Sequence, residues 1–292
     1  MIPTRTLHFE SGSATHVNRR AGNEDNHTID SELGLYVVAD GMGGYEGGER
    51  ASSIVVEVLR AFFRHNVDDP DATWPVALDR KLGFAANLLG AAIRLAHLEV
   101  CAQKRGRLAR MGSTVVALAV RGEEVVAGHV GDSRLYRLRD GELKQLTRDH
   151  SLWAELAAAG RDCGQWADFP YRNVITRAVG MPEMEPELTP LAPRVDDVFV
   201  LCSDGLLDGL DEEALAAGLL DVASGERAPQ LAADRLVQGA YDGGAKDNIT
   251  AIVLRVVAAA GAAELGETGP KDGAEDTSTE DASASAQLSS SP

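Results

Sequence analysis

Residues 114–141 read TVVALAVRGEEVVAGHVGDSRLYRLRDG. Three apolar, β-branched runs stand out here: Thr114–Val120, Val125–Val130 and Arg134–Arg139. Arg121-Gly122 and Gly131-Asp132 separate them, and Asp140-Gly141 follows. Short runs of this kind between glycine-containing turn signals are strands joined by hairpins. Three in succession make a meander, and a meander makes an antiparallel sheet.

The pattern extends in both directions. Upstream, Leu35–Ala39 is a buried-strand candidate that ends at Asp40-Gly41. From Gly47 to His65, Ile54, Val55, Val58, Leu59 and Phe62 recur at helical spacing, and a second helical stretch covers roughly Val76 to Cys101. Downstream, Ser151–Ala159 reads as a short helix. The stretch Gly160–Pro190 lacks periodicity, and long loops in compact domains are often functional. Val198–Cys202 is a strand ending at Ser203-Asp204-Gly205; helical patterns follow at 211–220 and 229–241, and Ile249–Val257 closes as a strand. Strand blocks flanked by helix pairs predict an α+β fold, a sandwich of two antiparallel β-sheets with helices outside. It forms one domain over residues 1–257.

The remaining segment, 258–292, holds seven acidic residues, one lysine and almost nothing large and apolar. Such a composition buries too little surface to offset its ordering entropy, so it is expected to be a disordered acidic tail. Net charge over the 292 residues is −17, of which about −11 remains on 1–257. A body this acidic is a poor match for nucleic acid, which is not expected as a partner. No run of about 18 apolar residues suggests a membrane span. Cys101, Cys163 and Cys202 are an odd set without CxxC spacing, which fits a reducing, cytoplasmic setting and no zinc site.

Acidic surplus has two ordinary causes, a solvated surface or sites that hold hard cations through oxygen. Asp40, Asp132 and Asp204 each follow a predicted strand beside a glycine, and Asp247 precedes one. Alone, each Asp-Gly reads as a turn. Their context argues for more. Asp40-Gly41-Met42-Gly43-Gly44 puts three glycines where backbone must approach something closely, and a cation held partly by the Gly41 carbonyl meets that need. Clustered carboxylates without basic partners require a divalent ion. Magnesium or manganese fits carboxylates and water without His or Cys. Arg20, Glu24 and Asp25 add a phosphate-binding type of cation and two acids, or else a surface salt bridge.

The ordered series RAGNEDN, VVADGMGG, GST, HVGDSRLYRL, LTRDHS, TRAVG, LCSDGLLD and KDNIT resembles the metal-dependent protein phosphatases, the type 2C serine/threonine family, in their bacterial form. The resemblance spans about residues 5–257 and omits the tail. It implies a two-metal Mn²⁺ or Mg²⁺ centre. Asp40 would bridge both ions, the Gly41 carbonyl would hold the first, and Asp204 and Asp247 the second. Asp132 resembles the aspartate that joins Asp204 at a weaker third ion. Glu24 and Asp25 would act through waters, Asp208 would support Asp204, and Arg20 would hold the substrate phosphate. The implied reaction is hydrolysis of phosphoserine and phosphothreonine by in-line attack of a metal-bridging hydroxide. The partners would be phosphorylated proteins, among them a Ser/Thr kinase and its substrates, with a monomer favoured. The alternative is a silent phosphoprotein-binding or partner-switching regulator on the same fold.

Met42 departs from members that carry a histidine there, a proposed general acid. His129 and His150 are then substitutes for that acid or structural residues. Trp166, Phe169 and Tyr171 fall where the family carries a mobile flap, as substrate contacts or as anchors. Arg177 faces the site or makes an ion pair, and Cys202 is core.

Overall fold

The computed structural model describes residues 7–66, 74, 79–166 and 169–258. The acidic segment lies outside them from residue 259 on, as do residues 76–78 of the second predicted helix.

Two antiparallel sheets face each other. One has the order β1 (Leu7–His16), β11 (Ile249–Ala258), β10 (Val198–Cys202), β7 (Arg134–Arg139), β8 (Glu142–Gln145). The other runs β2 (Asp25–Asp30), β3 (Leu35–Met42), β5 (Val115–Arg121), β6 (Glu124–Val130), β9 (Glu187–Leu191), with the short β4 (Gly112–Ser113) on β3. The meander is present as β5–β6–β7, but its last strand crosses to the first sheet.

Strand alternation explains why the central strands are apolar throughout. Side chains two apart share a face. Leu35, Val37 and Ala39 turn to helices α1 (Tyr45–Asn66) and α2 (Phe84–Gln103), packing with Ile54, Leu59, Leu89 and Ile93. Tyr36 and Val38 turn inward, onto Leu135, Phe199, Leu201 and Ile252 of the opposite sheet. The outer face of that sheet, with Tyr136, Val200 and Val253, is covered by α5 (Glu212–Ala223) and α6 (Pro229–Asp242). Three apolar layers therefore hold four layers of structure. Helix α2 is long and apolar enough to cross a membrane by length and composition, yet over half of its apolar window is buried in this core.

Several boundaries differ from expectation. Asp25 opens a strand, β2, that no apolar run announces, and stands opposite Asp40. The second helix begins at Phe84, not Val76, because Asp79–Leu82 form a turn tied to Asn87. The aperiodic stretch 160–190 contains the start of β9, an edge strand that pairs Glu187 with His129 and Pro190 with Val126. Proline is tolerated there because an edge strand needs only half its donors. α3 (Leu152–Ala158) forms as expected, capped by Ser151, whose hydroxyl accepts from the Ala154 amide.

Candidate metal centre

One end of the sandwich carries a cavity of about 650 Å³. Asp40, Gly41, Asp132, Asp204 and Asp247 all line it, together with Glu24 and Arg20. They reach it from several separate parts of the chain. Asp40 and Gly41 end β3, Asp132 sits in the β6–β7 turn, Asp204 opens α4 (Asp204–Gly209), and Asp247 precedes β11. The five predicted ligand positions are brought together.

Hydroxyl and amide side chains fix the loops. The Asp40 amide donates to Thr114 Oγ1 at 3.0 Å, and Thr114 Oγ1 shares a 2.7 Å bond with Ser133 beside Asp132. Asn248 Oδ1 accepts from the Glu24 amide, while its Nδ2 donates to the Val17 and Gly22 carbonyls. Thr114, Ser133 and Asn248 lie within the GST, GDSR and KDNIT motifs, whose pattern alone gives them no role. Their signal is a polar residue at the end of an apolar strand, beside an acid.

Burial first, then repulsion from Asp25, Asp204, Asp132 and Asp247, holds the Asp40 carboxyl well above the usual range. Burial and then Asp204 and Asp149 push Asp132 up to about 8. Asp204 rises to about 6 through burial, Asp247 and Asp208. Asp25 rises to about 7 by burial, although Thr250 and Ser203 hydroxyls donate to it at 2.7 and 2.8 Å and pull the other way. Burial raises Glu24 as well, against Arg20. So dense a set of buried acids is unfavourable as anions without added positive charge.

The family model for protein phosphatase 2C matches residues 13–238. The chain belongs to the protein phosphatase 2C family. Its relatives include the serine/threonine protein phosphatase PstP of Mycobacterium tuberculosis, 36% identical over 243 residues. That match covers 82% of this chain but only 43% of PstP, so the chain spans less than half of that relative. The serine/threonine phosphatase stp of Listeria welshimeri is 30% identical over 251 residues, covering 84% of this chain and 92% of stp. Among solved structures, the catalytic domain of PstP in complex with two manganese ions superposes with TM-score 0.71 at 34% identity. It covers 86% of this chain and 100% of that one.

The cavity of this protein phosphatase 2C member suits a pair of hard cations. Its donors are carboxylates, the type that magnesium and manganese take. Asp204 Oδ1 is buried with no hydrogen-bond partner among the described residues. Gly41 has no space for a side chain, since a Cβ would lie 2.1 Å from the Gly48 carbonyl oxygen. Glu24 lines the cavity, whereas Asp25 lies behind it, held by the two hydroxyls. Asp208 is also outside it and accepts from the Lys246 amide at 2.9 Å, next to Asp247. Arg20 donates to Asp247 Oδ2 and to the Lys246 carbonyl.

Met42 lines the cavity and offers no proton. His129 and His150 do not line it; they stack on each other at 4.7 Å behind Gly131. Their nitrogens are used. His129 Nε2 donates to the Arg148 carbonyl at 2.9 Å. The Gly131 amide donates to His150 Nδ1, so His150 Nε2 carries the proton and donates to Glu187 at 3.0 Å. With Glu187 they form a compact trio, but a cation there would have to strip that proton, so the trio is a clamp on the Gly131-Asp132 turn. Arg177 joins it through Glu187 at 3.3 Å, an ion pair outside the cavity.

The aperiodic stretch supplies Asn173, Ile175 and Met181 to the cavity, which the sequence did not single out. Trp166 is an anchor, lying under the guanidinium groups of Arg134 and Arg172 at 5.8 and 5.2 Å. Phe169 packs edge-on against Tyr171, which is largely exposed. Cys202 is fully buried in the core, as expected.

Proposed function

We propose that this chain is a metal-dependent phosphatase acting on phosphoserine and phosphothreonine in proteins. The observation that carries this reading is the convergence of Asp40, Asp132, Asp204 and Asp247 on one cavity with Arg20 at its wall. In this reading Asp40, Gly41, Asp204 and Asp247 hold two Mn²⁺ or Mg²⁺ ions, and Asp132 with Asp204 holds a weaker third. The cations, when bound, supply neutralisation of phosphoryl charge and a water made nucleophilic near neutral pH.

The chain's own groups do the rest. Arg20 leaves Asp247 and takes the substrate phosphate through its planar fork, which matches two phosphoryl oxygens at once. Its tie to the Lys246 carbonyl keeps the guanidinium at the cavity wall during that exchange. Glu24 orients water at the same wall, and Asp25 stiffens the floor through Ser203 and Thr250. Asp208 positions Asp247 through the Lys246 amide. Every donor needed for the centre is present, which supports an active enzyme over a silent phosphoprotein binder. Its place would be the cytoplasm, as a monomer opposing a Ser/Thr kinase, with the acidic segment after Ala258 as a non-catalytic extension.

The test is hydrolysis of p-nitrophenyl phosphate and a phosphothreonine peptide by chelator-stripped protein titrated with Mn²⁺ or Mg²⁺, with Asp204→Asn in parallel. Metal-dependent phosphate release that the variant lacks supports the reading. Folded protein that binds Mn²⁺ and releases nothing overturns it.

A further inference from the structure

Beside the cavity lies a feature that phosphate chemistry alone does not use. Residues 104–110 read KRGRLAR, four of the chain's 28 basic residues in one short stretch without an acid. In a chain of net charge −17 this is a local reversal of sign. Its position is set by packing. Gly43 has φ +117°, and a Cβ there would lie 2.6 Å from the Arg110 carbonyl oxygen, so the two backbones are in contact. Two residues on, Gly112 pairs with Met42. Gly43, Gly44 and Met42 are themselves part of the cavity wall. The basic stretch thus packs against the outer side of that wall, near α1, as an outer rim whose residues do not line the cavity itself.

Its shape presents the charges outward. Gly106 has φ +55° and starts a 3₁₀ turn, Gly106–Leu108, continued by the bond from the Met111 amide to the Leu108 carbonyl. Arg105, Arg107 and Arg110 are all exposed. Lys104 is used internally, donating to the Gly180 carbonyl at 2.6 Å. Arg107 meets Glu46 at 3.0 Å, but both side chains are more than half exposed, and such a pair exchanges partners at little cost. Arg105 and Arg110 make no ion pair among the described residues.

We propose that Arg105, Arg107 and Arg110 are a specificity surface for the substrate polypeptide, recognising an acidic or second phosphorylated side chain near the phosphoresidue in the cavity. This inference rests on the phosphatase reading and names its substrate class. Charge complementarity carries it. The cavity wall is carboxylate-rich, with Arg20 its one basic residue among the described residues, whereas this rim is cationic and solvent-facing. A polypeptide delivering a phosphate past that rim gains from negative charge in its flank and loses from positive charge.

The experiment compares phosphothreonine peptides carrying alanine, glutamate or a second phosphothreonine at flanking positions. The enzymes are the 292-residue wild-type chain and the triple variant Arg105→Gln/Arg107→Gln/Arg110→Gln, with Mn²⁺ present. Wild type should show KM lower by about 3- to 10-fold for the anionic peptides, with kcat little changed. The preference should shrink as salt is raised. The variant should lose it while hydrolysing p-nitrophenyl phosphate, which has no flank, as wild type does. Absence of any preference in wild type, or its survival in the variant, overturns the proposal. So does a preference that appears only after residues 259–292 are deleted and then persists in the variant. Should the deletion lower KM for every peptide in wild type but not in the variant, the rim's occupant is the chain's own acidic segment and the substrate proposal falls. Failure of wild type to hydrolyse p-nitrophenyl phosphate with Mn²⁺ would instead strike the phosphatase reading itself.

Discussion

Asn248 holds Glu24 in place: its Oδ1 accepts from the Glu24 amide at 2.8 Å, and its Nδ2 reaches the carbonyls of Val17 and Gly22. One side chain on the approach to β11 thus ties down both ends of the loop that carries Arg20. Asn248→Ala removes three hydrogen bonds at a buried position and should cost about 1–3 kcal/mol of stability. Because Arg20 rides on that loop, kcat/KM for a phosphopeptide should fall about 10- to 100-fold at saturating Mn²⁺. Urea unfolding and steady-state kinetics read the two effects. A loss below about 0.5 kcal/mol with unchanged kinetics would show that the loop is held elsewhere.

The buried acids give the metal-free protein an unusual pH dependence. Asp25 at about 7, Asp132 at about 8 and Asp204 at about 6 all lie above the ordinary value of 3.8. Between that value and the raised ones the folded state binds more protons than the unfolded chain, so stability falls as pH rises. These groups therefore stabilise most below about pH 4 and lose that contribution up to about pH 8. Divalent cations favour the anionic carboxylates and act in the opposite sense. The rise in Tm on adding Mn²⁺ should be small at pH 5 and several-fold larger at pH 8. Equal shifts at both pH values would mean that the cation binds elsewhere.

The same dipeptide shows where sequence reading reached and where it stopped. Asp140-Gly141 is a plain hairpin turn between β7 and β8, with φ of 52° and 80°. Asp40-Gly41 lies within a strand and faces the cavity. Local propensity cannot separate them; the neighbouring glycines and the ordered series of motifs did. The central strands were legible because burial on both faces leaves a continuous apolar run. The edges were not. β1 reads LHFESGSATH, without a sustained apolar alternation, and only Phe9 and Gly12 are buried in it. β8 and β9 are half-exposed, and β9 contains a proline. Asn173, Ile175 and Met181 reach the cavity through a stretch without period, so only the folded chain reveals them.

Two glycines near the centre are glycine for different reasons, and substitution separates them. At Gly41 the obstacle is space, with a Cβ 2.1 Å from the Gly48 carbonyl oxygen and 2.6 Å from that of Glu24. Both are backbone atoms that cannot swing aside, so Gly41→Ala should cost at least about 2 kcal/mol and displace the Asp40 loop. At Gly44 the surroundings are open, and the obstacle is φ of +88°. Gly44→Ala should cost about 1–2 kcal/mol through backbone strain alone. Mn²⁺ titration of p-nitrophenyl phosphate hydrolysis should show weakened metal activation for Gly41→Ala and near-normal activation for Gly44→Ala. The reverse order would contradict the packing account.

Behind the centre, Arg134 and Asp149 form a forked pair, with bonds of 3.0, 3.1 and 2.7 Å and side chains only 17% and 11% exposed. Arg134 also donates to the Tyr136 hydroxyl, which in turn donates to Glu212 on α5, and it lies over Trp166. Asp149 holds the guanidinium charged against its burial, above the ordinary range. Removing Asp149 alone leaves that cation without its counter-charge, so Asp149→Ala should lose about 2–4 kcal/mol. Replacing both partners with apolar residues, Arg134→Met with Asp149→Leu, should cost less than the single change, because no charge is left stranded. Chemical denaturation of the two variants decides it. A double variant less stable than Asp149→Ala would mean that the contacts of Arg134 with Tyr136 and Trp166, and not its pairing, are what the fold depends on.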